Sequence, residues 1–349
     1  MQRRDFNKMM TVAPLGLGMT PFAHTSDKIL ENCTWSRIKP HPWKQGDKVA
    51  LVAPGSPIKP EKFDNAVKNL ENLGLVPVFT DTVFKKYGYL AGTDEERSAD
   101  LMHHFENKDI KGIWCLRGGY GCTRILSSLD YDVIRRNPKI LIGYSDITAL
   151  ILAIYQKTGL IGYHGPVSIS NIFTDFTQQQ VKQILFGQAE ARHDIPLISQ
   201  TDVAYRQSPY TITPGKSSGT LIGGNLSLLV NLPRTAYAPS YEGKLVFIED
   251  VGEKPYRIDR MLTYLLEATD LKHAKGIILG VFADCEPKED DVSLTLKETL
   301  IDRLASLNIP CFYGFTFGHV SDICTFPIGI KAEMDADTFS VRLLEQATR

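Results

Sequence analysis

The chain has 349 residues, of which 43% are hydrophobic and 23% are charged, which is the profile of an ordinary soluble globular protein long enough for two domains. Its formal net charge of -1 argues against a nucleic-acid binder, which would carry a basic surface. Beyond the N-terminus no apolar run approaches the roughly 20 residues that span a bilayer, so we expect no membrane span.

The N-terminus resembles an export signal. Arg3 and Arg4 open an RRxFxK arrangement, and a weakly apolar stretch rich in glycine and proline follows. This order is typical of secretory signals, and the paired arginines resemble the twin-arginine type. Residues 1–25 are therefore predicted to lie outside the fold and to direct the protein to the periplasm or the cell surface. The alternatives are a disordered basic tail and a cytoplasmic protein.

Strand-like and helix-like segments alternate through the first half of the chain. In order, they are a strand and turn at 47–58, a helix at 59–74, a strand at 75–80, a helix at 93–107, a strand and glycine turn at 110–121, a helix at 122–138, a strand and turn at 139–146, and a helix at 147–159. This alternation predicts a Rossmann-like parallel sheet with flanking helices. Ligands bind at the carboxyl ends of such strands, where turns follow Ala53, Leu116 and Gly143.

The alternating pattern weakens after residue 171. Residues 172–218 are polar and rich in turn formers, with one candidate helix at 174–187, and we predict a linker there. Residues 219–349 mix strands and helices, with antiparallel hairpins expected near the end. The chain is therefore predicted to contain an N-terminal α/β domain at 26–171 and a second, mixed α/β domain at 219–349.

The six cysteines and eight histidines predict no metal site. No CxxC spacing, no H-E-x-x-H and no histidine pair at i, i+4 occurs in the sequence. Most of the cysteines lie in apolar runs, where we expect them to be small buried side chains.

Ser145 follows an apolar strand and precedes a helix, in the sequence G-Y-S-D-I. A sharp strand-to-helix turn would expose this serine as a nucleophile and aim the backbone N–H of Asp146 at the same point. The second glycine of G-x-S-x-G is missing, and a helix cap is the alternative. The glycine turn at 117–121 could supply a second oxyanion donor, the N–H of Gly119, or serve only as a turn.

A serine nucleophile needs a base. His319 follows an apolar strand and a glycine, which is the setting of a residue displayed from a loop. His164, at a strand-to-loop step, is a competitor that could line the site or hold a turn. His103 and His104 lie in mid-helix beside charged residues, where we expect them at the surface.

The base needs an orienting carboxylate, and Glu249 stands at the tip of an apolar strand. A buried acid needs a partner, which could be a histidine or, alternatively, Arg257 or Arg260. Asp250 and Glu253 are other carboxylates in the same stretch. Glu249 is nearest to the rigid strand, where geometry is best held.

Six motifs in this order resemble the LD-carboxypeptidase family of serine peptidases, which includes murein tetrapeptide carboxypeptidases and microcin C immunity peptidases. They are VAPGSP, RGGYGCTRIL, IGYSDITAL, GGNLSLL, FIEDVGEKPYRIDR and GFTFGH, within residues 47–345. The resemblance implies an N-terminal α/β domain that carries the serine and a C-terminal domain that carries the other two residues of a triad. Placed on this sequence, the triad is Ser145, Glu249 and His319, with Gly119 and Asp146 as the oxyanion hole.

The resemblance also implies a reaction. The family cleaves the amide between an L-centre and a terminal D-residue, typically releasing D-alanine from a murein tetrapeptide, and uses no metal or organic cofactor. Many members act as homodimers. Arg117 and Arg124 are candidate partners of the terminal carboxylate, and Tyr120 and Tyr144 could line the pocket. The export signal departs from the recycling members, which are usually cytoplasmic.

Two other functions stay open from the sequence. A microcin-type peptidase that acts on peptidyl nucleotides would need an aromatic side chain in a C-terminal loop to stack on the base. The tryptophans, Trp35, Trp43 and Trp114, all lie in the first half of the chain. A cell-wall peptide-binding protein without catalytic activity is the other alternative.

Overall fold

Two β-sheets organise the part of the chain that the computed structural model describes, residues 36–170, 173–198 and 208–349. The strands are β1 Lys48–Val52, β2 Val76–Val78, β3 Ile110–Cys115, β4 Ile140–Gly143, β5 Tyr163–His164, β6 His193–Ile195, β7 Tyr210–Thr213, β8 Lys216–Asn225, β9 Lys244–Glu249, β10 Gly276–Val281, β11 Cys311–Gly318, β12 Phe326–Pro327, β13 Lys331–Asp335 and β14 Ser340–Leu343. The predicted export signal, residues 1–25, lies outside the described residues.

The helices of the described residues connect these strands. They are α1 Phe63–Asn72, α2 Asp94–Glu106, α3 Cys122–Ile125, α4 Tyr131–Arg136, α5 Ile147–Thr158, α6 Asp175–Leu185, α7 Leu226–Leu229, α8 Pro255–Ala268 and α9 Leu296–Leu304. Short 3-10 turns lie at Pro60–Lys62, Asp81–Phe84, Leu126–Ser128, Leu271–His273 and Ala305–Leu307. None of the helices in these stretches is long and apolar enough to cross a membrane.

The first sheet has the order β12-β5-β4-β3-β1-β2, and the strands from β1 to β5 pair in parallel. This arrangement confirms the predicted α/β sheet. Its sixth strand was not predicted, because β12 comes from the end of the chain and pairs antiparallel with β5, Phe326 opposite His164. A two-residue strand carries no periodicity that a sequence could reveal.

The second sheet is mixed, with the order β6-β14-β13-β8-β9-β10-β11-β7. Strands β8, β9, β10 and β11 are parallel, whereas β13 and β14 form an antiparallel pair near the end of the chain, as predicted. The segment 172–218, predicted as a linker, also contributes regular structure. It contains α6, and β6 and β7 are the two edge strands of this sheet.

Two predicted helices illustrate how local sequence sets helix ends. Helix α2 starts as predicted, because Thr93 and Glu96 form a reciprocal capping box. The single helix predicted at 122–138 is wrong, since the chain forms α3, a 3-10 turn and then α4. The side chain of Asp130 accepts the N–H of Val133 and starts the second helix. Serine and aspartate compete for backbone hydrogen bonds, which favours caps over helix interiors.

Helix α5 lies between the two sheets. Its residues from Ile147 to Ile154 are all buried, as expected for a helix that is apolar on every side. It contacts β4 and β8, and the hydroxyl of Thr148 accepts the N–H of Asn225 at 3.1 Å. Gly224 is required at this crossing, because a Cβ there would lie 2.5 Å from the methyl carbon of Thr148. The helix that follows Ser145 is thus packed against both sheets.

The cysteines within the described residues are buried and free, as predicted. They are Cys115, Cys122, Cys285, Cys311 and Cys324. Burial raises the pKa of each thiol, so these side chains act as small core residues.

Candidate active site

The turn between β4 and α5 holds Ser145 in a strained conformation. Its φ of 62° is left-handed, which is uncommon for a residue other than glycine. Helical hydrogen bonding begins at once, because the N–H of Thr148 donates to the carbonyl of Ser145 at 2.9 Å. Strain of this kind is kept where the surrounding structure imposes it, and a sharp strand-to-helix turn is the geometry that displays a nucleophilic serine.

The helix-cap interpretation of Ser145 receives no support from the structure. The residue at the cap position of α5 is Asp146, and in the described part of the chain no side chain caps this helix. Instead, the carboxylate of Asp146 turns toward the glycine turn and accepts the N–H of Cys122 at 2.9 Å.

The three turns predicted at the carboxyl edge of the first sheet meet there. The N–H of Ser56, after β1, donates to the carbonyl of Gly118, after β3, at 3.0 Å. A Cβ on Gly118 would lie 3.1 Å from the Cβ of Ser145 and 3.0 Å from the nitrogen of Asp146. Only glycine lets the backbone approach this closely, so residue 118 stands directly beside the serine turn.

A buried arginine that sequence reasoning missed holds these turns together. Arg97 is 1% exposed and donates to the carbonyls of Pro54 and Gly121, one from each turn, and also to the carboxylate of Asp94. In the sequence, Arg97 lies within the charged run of α2 and looks like a surface residue. Its role depends on a tertiary contact and has no local signal.

Glu249 and His319 meet at the carboxyl edge of the second sheet. Strand β10 pairs in parallel with both β9 and β11, so the ends of those strands emerge on the same side. The Nδ1 atom of His319 and the Oε2 atom of Glu249 are hydrogen-bonded at 2.8 Å. The carboxylate side chain is fully buried, whereas that of the histidine is 20% exposed.

Each member of this pair shifts the pKa of the other. Burial alone would lower the pKa of His319, but the charge of Glu249 and its hydrogen bond outweigh burial and raise it. Burial alone would raise the pKa of Glu249, yet His319 holds that pKa below its ordinary value. The pair is therefore arranged to keep a carboxylate charged and to make an imidazole more basic.

The alternative partners proposed for Glu249 are wrong. Arg257 pairs instead with Glu253, at 3.3 Å. Asp250, the other carboxylate at the strand end, accepts hydrogen bonds from Asn225 and from the backbone and hydroxyl of Ser227. Burial, with the nearby charge of Glu249, raises the pKa of Asp250 to about 6. Asp250 thus anchors the start of α7 and is not free to orient a histidine.

Tyr144 connects the serine turn to the Glu249–His319 pair. Its ring centroid lies 4.7 Å from that of the His319 imidazole, and it is the residue immediately before Ser145. The structure therefore brings the predicted nucleophile turn, base and carboxylate into one region, where the edges of the two sheets face each other. Burial, together with the charge of Glu249, raises the pKa of Tyr144 and keeps its phenol neutral.

The other histidines are placed differently from the base candidate. His164, the competitor, is completely buried, and its ring lies 6.1 Å from that of Tyr144. The expected exposure of His104 is wrong, because this side chain is 1% exposed and packs beside Asp100. Burial lowers the pKa of both His104 and His164 to about 4, so each is neutral near pH 7.

The candidate substrate-binding residues around the glycine turn differ in the contacts that they already make within the protein. The guanidinium of Arg124 makes three hydrogen bonds to Asp94, at 2.9 to 3.1 Å. Arg117 is exposed and donates to the carbonyl of Pro57 at 3.1 Å. The ring of Tyr120 is 49% exposed and lies 5.6 Å from that of Tyr89. Arg117 is therefore the cation with more freedom to bind a ligand.

Comparison with known proteins gives two family matches, one in each half of the chain. Residues 49–165 match the LD-carboxypeptidase N-terminal domain, and residues 218–334 match the LD-carboxypeptidase C-terminal domain. A Bacillus subtilis relative named "Probable murein peptide carboxypeptidase" is 41% identical over 304 residues, which cover 85% of this chain and 91% of the relative.

Solved structures agree with the sequence matches. The muramoyltetrapeptide carboxypeptidase of Oxalobacter formigenes superimposes with a TM-score of 0.73 at 29% identity, covering 85% of this chain and 97% of that one. MccF, the microcin C7 self-immunity protein of Escherichia coli, superimposes in its complex with glutamyl sulfamoyl guanosine with a TM-score of 0.81 at 28% identity, covering 89% and 99%. Together these matches extend over both sheets, and the chain belongs to the LD-carboxypeptidase family of serine-type carboxypeptidases.

Proposed function

We propose that this protein hydrolyses the L,D-amide at the end of murein tetrapeptides and releases the terminal D-alanine, through a triad of Ser145, His319 and Glu249. The observation that carries the proposal is the 2.8 Å hydrogen bond between His319 and Glu249, beside the strained turn of Ser145. The names of the relatives, which are murein peptide and muramoyltetrapeptide carboxypeptidases, support the substrate class.

Acylation begins when the Oγ atom of Ser145 attacks the scissile carbonyl carbon and Nε2 of His319 takes the hydroxyl proton. Glu249, bonded at Nδ1, keeps the other ring proton in place and stabilises the imidazolium. That imidazolium then gives its proton to the leaving nitrogen, so D-alanine departs as an amine. The acyl group remains as an ester on Ser145, which water hydrolyses when His319 acts as base a second time.

The negative charge that develops on the carbonyl oxygen is stabilised by the N–H groups of Gly119 and Asp146. Both belong to turns that are already fixed, by Arg97 on one side and by the carboxylate of Asp146 on the other. Donors fixed in advance need no reorganisation during the reaction, which is why such holes lower barriers efficiently. Arg117 makes fewer hydrogen bonds within the protein than Arg124, and we propose that it binds the terminal carboxylate of the substrate.

We expect Gly118→Ala to reduce kcat by about 100-fold, the effect of losing one oxyanion donor. The added methyl would lie 3.0 Å from the nitrogen of Asp146 and would crowd the space that the oxyanion needs. Gly46→Ala is the control, because a Cβ at Gly46 meets no atom within 4 Å. Its φ of 83° strains alanine, a strain that Gly118→Ala does not carry, so normal turnover in the Gly46 variant would exclude a general effect of replacing a turn glycine. Turnover at the wild-type rate in the residue 118 variant would contradict this placement of the hole.

The substrate is tested with two peptides that differ only in the terminal residue. The purified protein is incubated with a murein tetrapeptide ending in D-alanine and with the same peptide ending in L-alanine, and the products are measured by mass spectrometry. We expect release of alanine from the first peptide alone. If neither is cleaved but a glutamyl sulfamoyl nucleotide is hydrolysed, the microcin-type alternative is correct. Binding of the tetrapeptide without any cleavage would indicate the non-catalytic alternative.

Location and assembly are further parts of the proposal. We propose that residues 1–25 direct export through the twin-arginine route, so that the enzyme acts on wall peptides outside the cytoplasm. Fractionation of cells that express the full chain tests this, and retention in the cytoplasm would refute it. We also propose a homodimer, for which light scattering should give twice the chain mass of 39.0 kDa.

A further inference from the structure

Buried polar atoms without partners lie behind the Glu249–His319 pair. Among the described residues, both ring nitrogens of His164 and the Oε1 atom of Glu249 are buried and make no hydrogen bond. Most buried polar groups in proteins are hydrogen-bonded, and each exception calls for an explanation. Three such atoms at the proposed catalytic pair point to a shared function.

Strand geometry places Glu249 on the face of the second sheet that packs against the His164 imidazole. Phe247 and Glu249 are two residues apart on β9 and so face the same side of the sheet. The ring of Phe247 lies 5.4 Å from that of His164.

The imidazole of His164 is enclosed by aromatic rings. Tyr144 lies at 6.1 Å, Phe317 at 6.2 Å and Phe247 at 5.4 Å between ring centroids. Tyr144 also contacts His319, so it stands between the two histidines. His164 therefore has no route to the substrate, and any influence on catalysis must pass through Glu249.

We infer that His164 is a positioning residue: through one buried water, its ring N–H donates toward the Oε1 atom of Glu249 and holds Oε2 against His319. The inference rests on the proposed triad. A single water needs two to four polar partners, and a ring nitrogen of His164 and the Oε1 atom of Glu249 provide two. With both oxygens bonded, the carboxylate cannot rotate away from the base.

A neutral imidazole suits this task better than a cation. The titratable groups that face His164 among the described residues are Tyr144, from the turn after β4, Glu249, from β9, and His319, from the loop after β11. Burial lowers the pKa of His164, and the charge of His319 adds to that effect, although Glu249 opposes it. A neutral donor steadies Glu249 without cancelling the negative charge that makes His319 basic.

The test compares His164→Phe, which keeps a ring and removes both nitrogens, with His164→Gln, which restores an N–H donor. Misplacement of a catalytic group costs up to about 100-fold, so we expect the Phe variant to lose about 10- to 100-fold in kcat with KM unchanged. Its pH profile should keep activity to a lower pH on the acid side, because a carboxylate that turns away from His319 stabilises the imidazolium less. The Gln variant should recover most of both properties.

A substrate-free readout separates this inference from the proposed function. In the full chain labelled with ¹⁵N-histidine, the pKa of His319 should fall in His164→Phe and return toward wild type in His164→Gln, whatever the substrate is. His104→Phe is the control, because this histidine is equally buried but packs in α2 beside Asp100. An unchanged or raised His319 pKa in the Phe variant, or the same fall in the His104 variant, would overturn the inference.

Discussion

Replacing Ser145 with alanine should lower kcat by roughly 10⁴- to 10⁶-fold, the range seen when a triad nucleophile is removed. No other group at the site can form the acyl-enzyme in the proposed mechanism, so residual turnover would reflect only the oxyanion hole and substrate binding. The measurement is D-alanine release from a murein tetrapeptide, with peptide binding followed separately. Turnover retained in this variant would show that Ser145 is not the nucleophile.

Two further variants separate loss of chemistry from loss of fold. Ser145→Gly should be equally inactive but thermally more stable than the wild type, because glycine accepts the φ of 62° without strain. Ser240→Ala is a control remote from the proposed triad. It removes a hydrogen bond of 2.6 Å to Asp270 and should cost only about 1 kcal/mol of stability with normal turnover.

Glu249→Gln is expected to lower kcat by roughly 10²- to 10⁴-fold, because an amide can no longer hold the required tautomer of His319 or stabilise its cation. The pH dependence should change as well. In the wild type, the raised pKa of His319 means that activity falls as the pH drops through that raised value. Without the carboxylate charge the pKa of His319 falls, so the acid limb of kcat/KM should move to lower pH.

The matched control is Glu253→Gln, which neutralises a nearby carboxylate that pairs with Arg257 at 3.3 Å on the protein surface. Exposed pairs of this kind contribute little, and we expect the rate and the pH profile to stay as in the wild type. An acid limb at the same pH in the Glu249 and Glu253 variants would show that the carboxylate at 249 does not act on His319.

Much of the fold could be predicted from local sequence. Strand-like and helix-like segments alternated through the first half, and the structure confirms a parallel sheet there. The start of α2 at Thr93 followed from a capping box that is complete within four residues. Such predictions are correct because turn chemistry and apolar periodicity are properties of short segments, and the tertiary structure did not override them.

The errors have two causes. Arg97 and His104 both lie in the charged sequence of α2, yet both are buried, since the sheet and its turns cover one side of that helix. The helix predicted at 122–138 failed because Asp130 offered a second cap. The burial of Arg97 and His104 is decided by neighbours distant in the sequence. The Asp130 cap, in contrast, is a local hydrogen bond from the N–H of Val133.

The sequence by itself determined that turns rich in glycine and serine follow the strands of a parallel sheet. Because those strands run in the same direction, all such turns lie at one edge of the sheet. It also limited the carboxylates near the end of β9 to three. Only the tertiary structure decided that Glu249, rather than Asp250 or Glu253, meets His319. That choice depends on the register of β9 and β11 on either side of β10, which brings together side chains 70 residues apart.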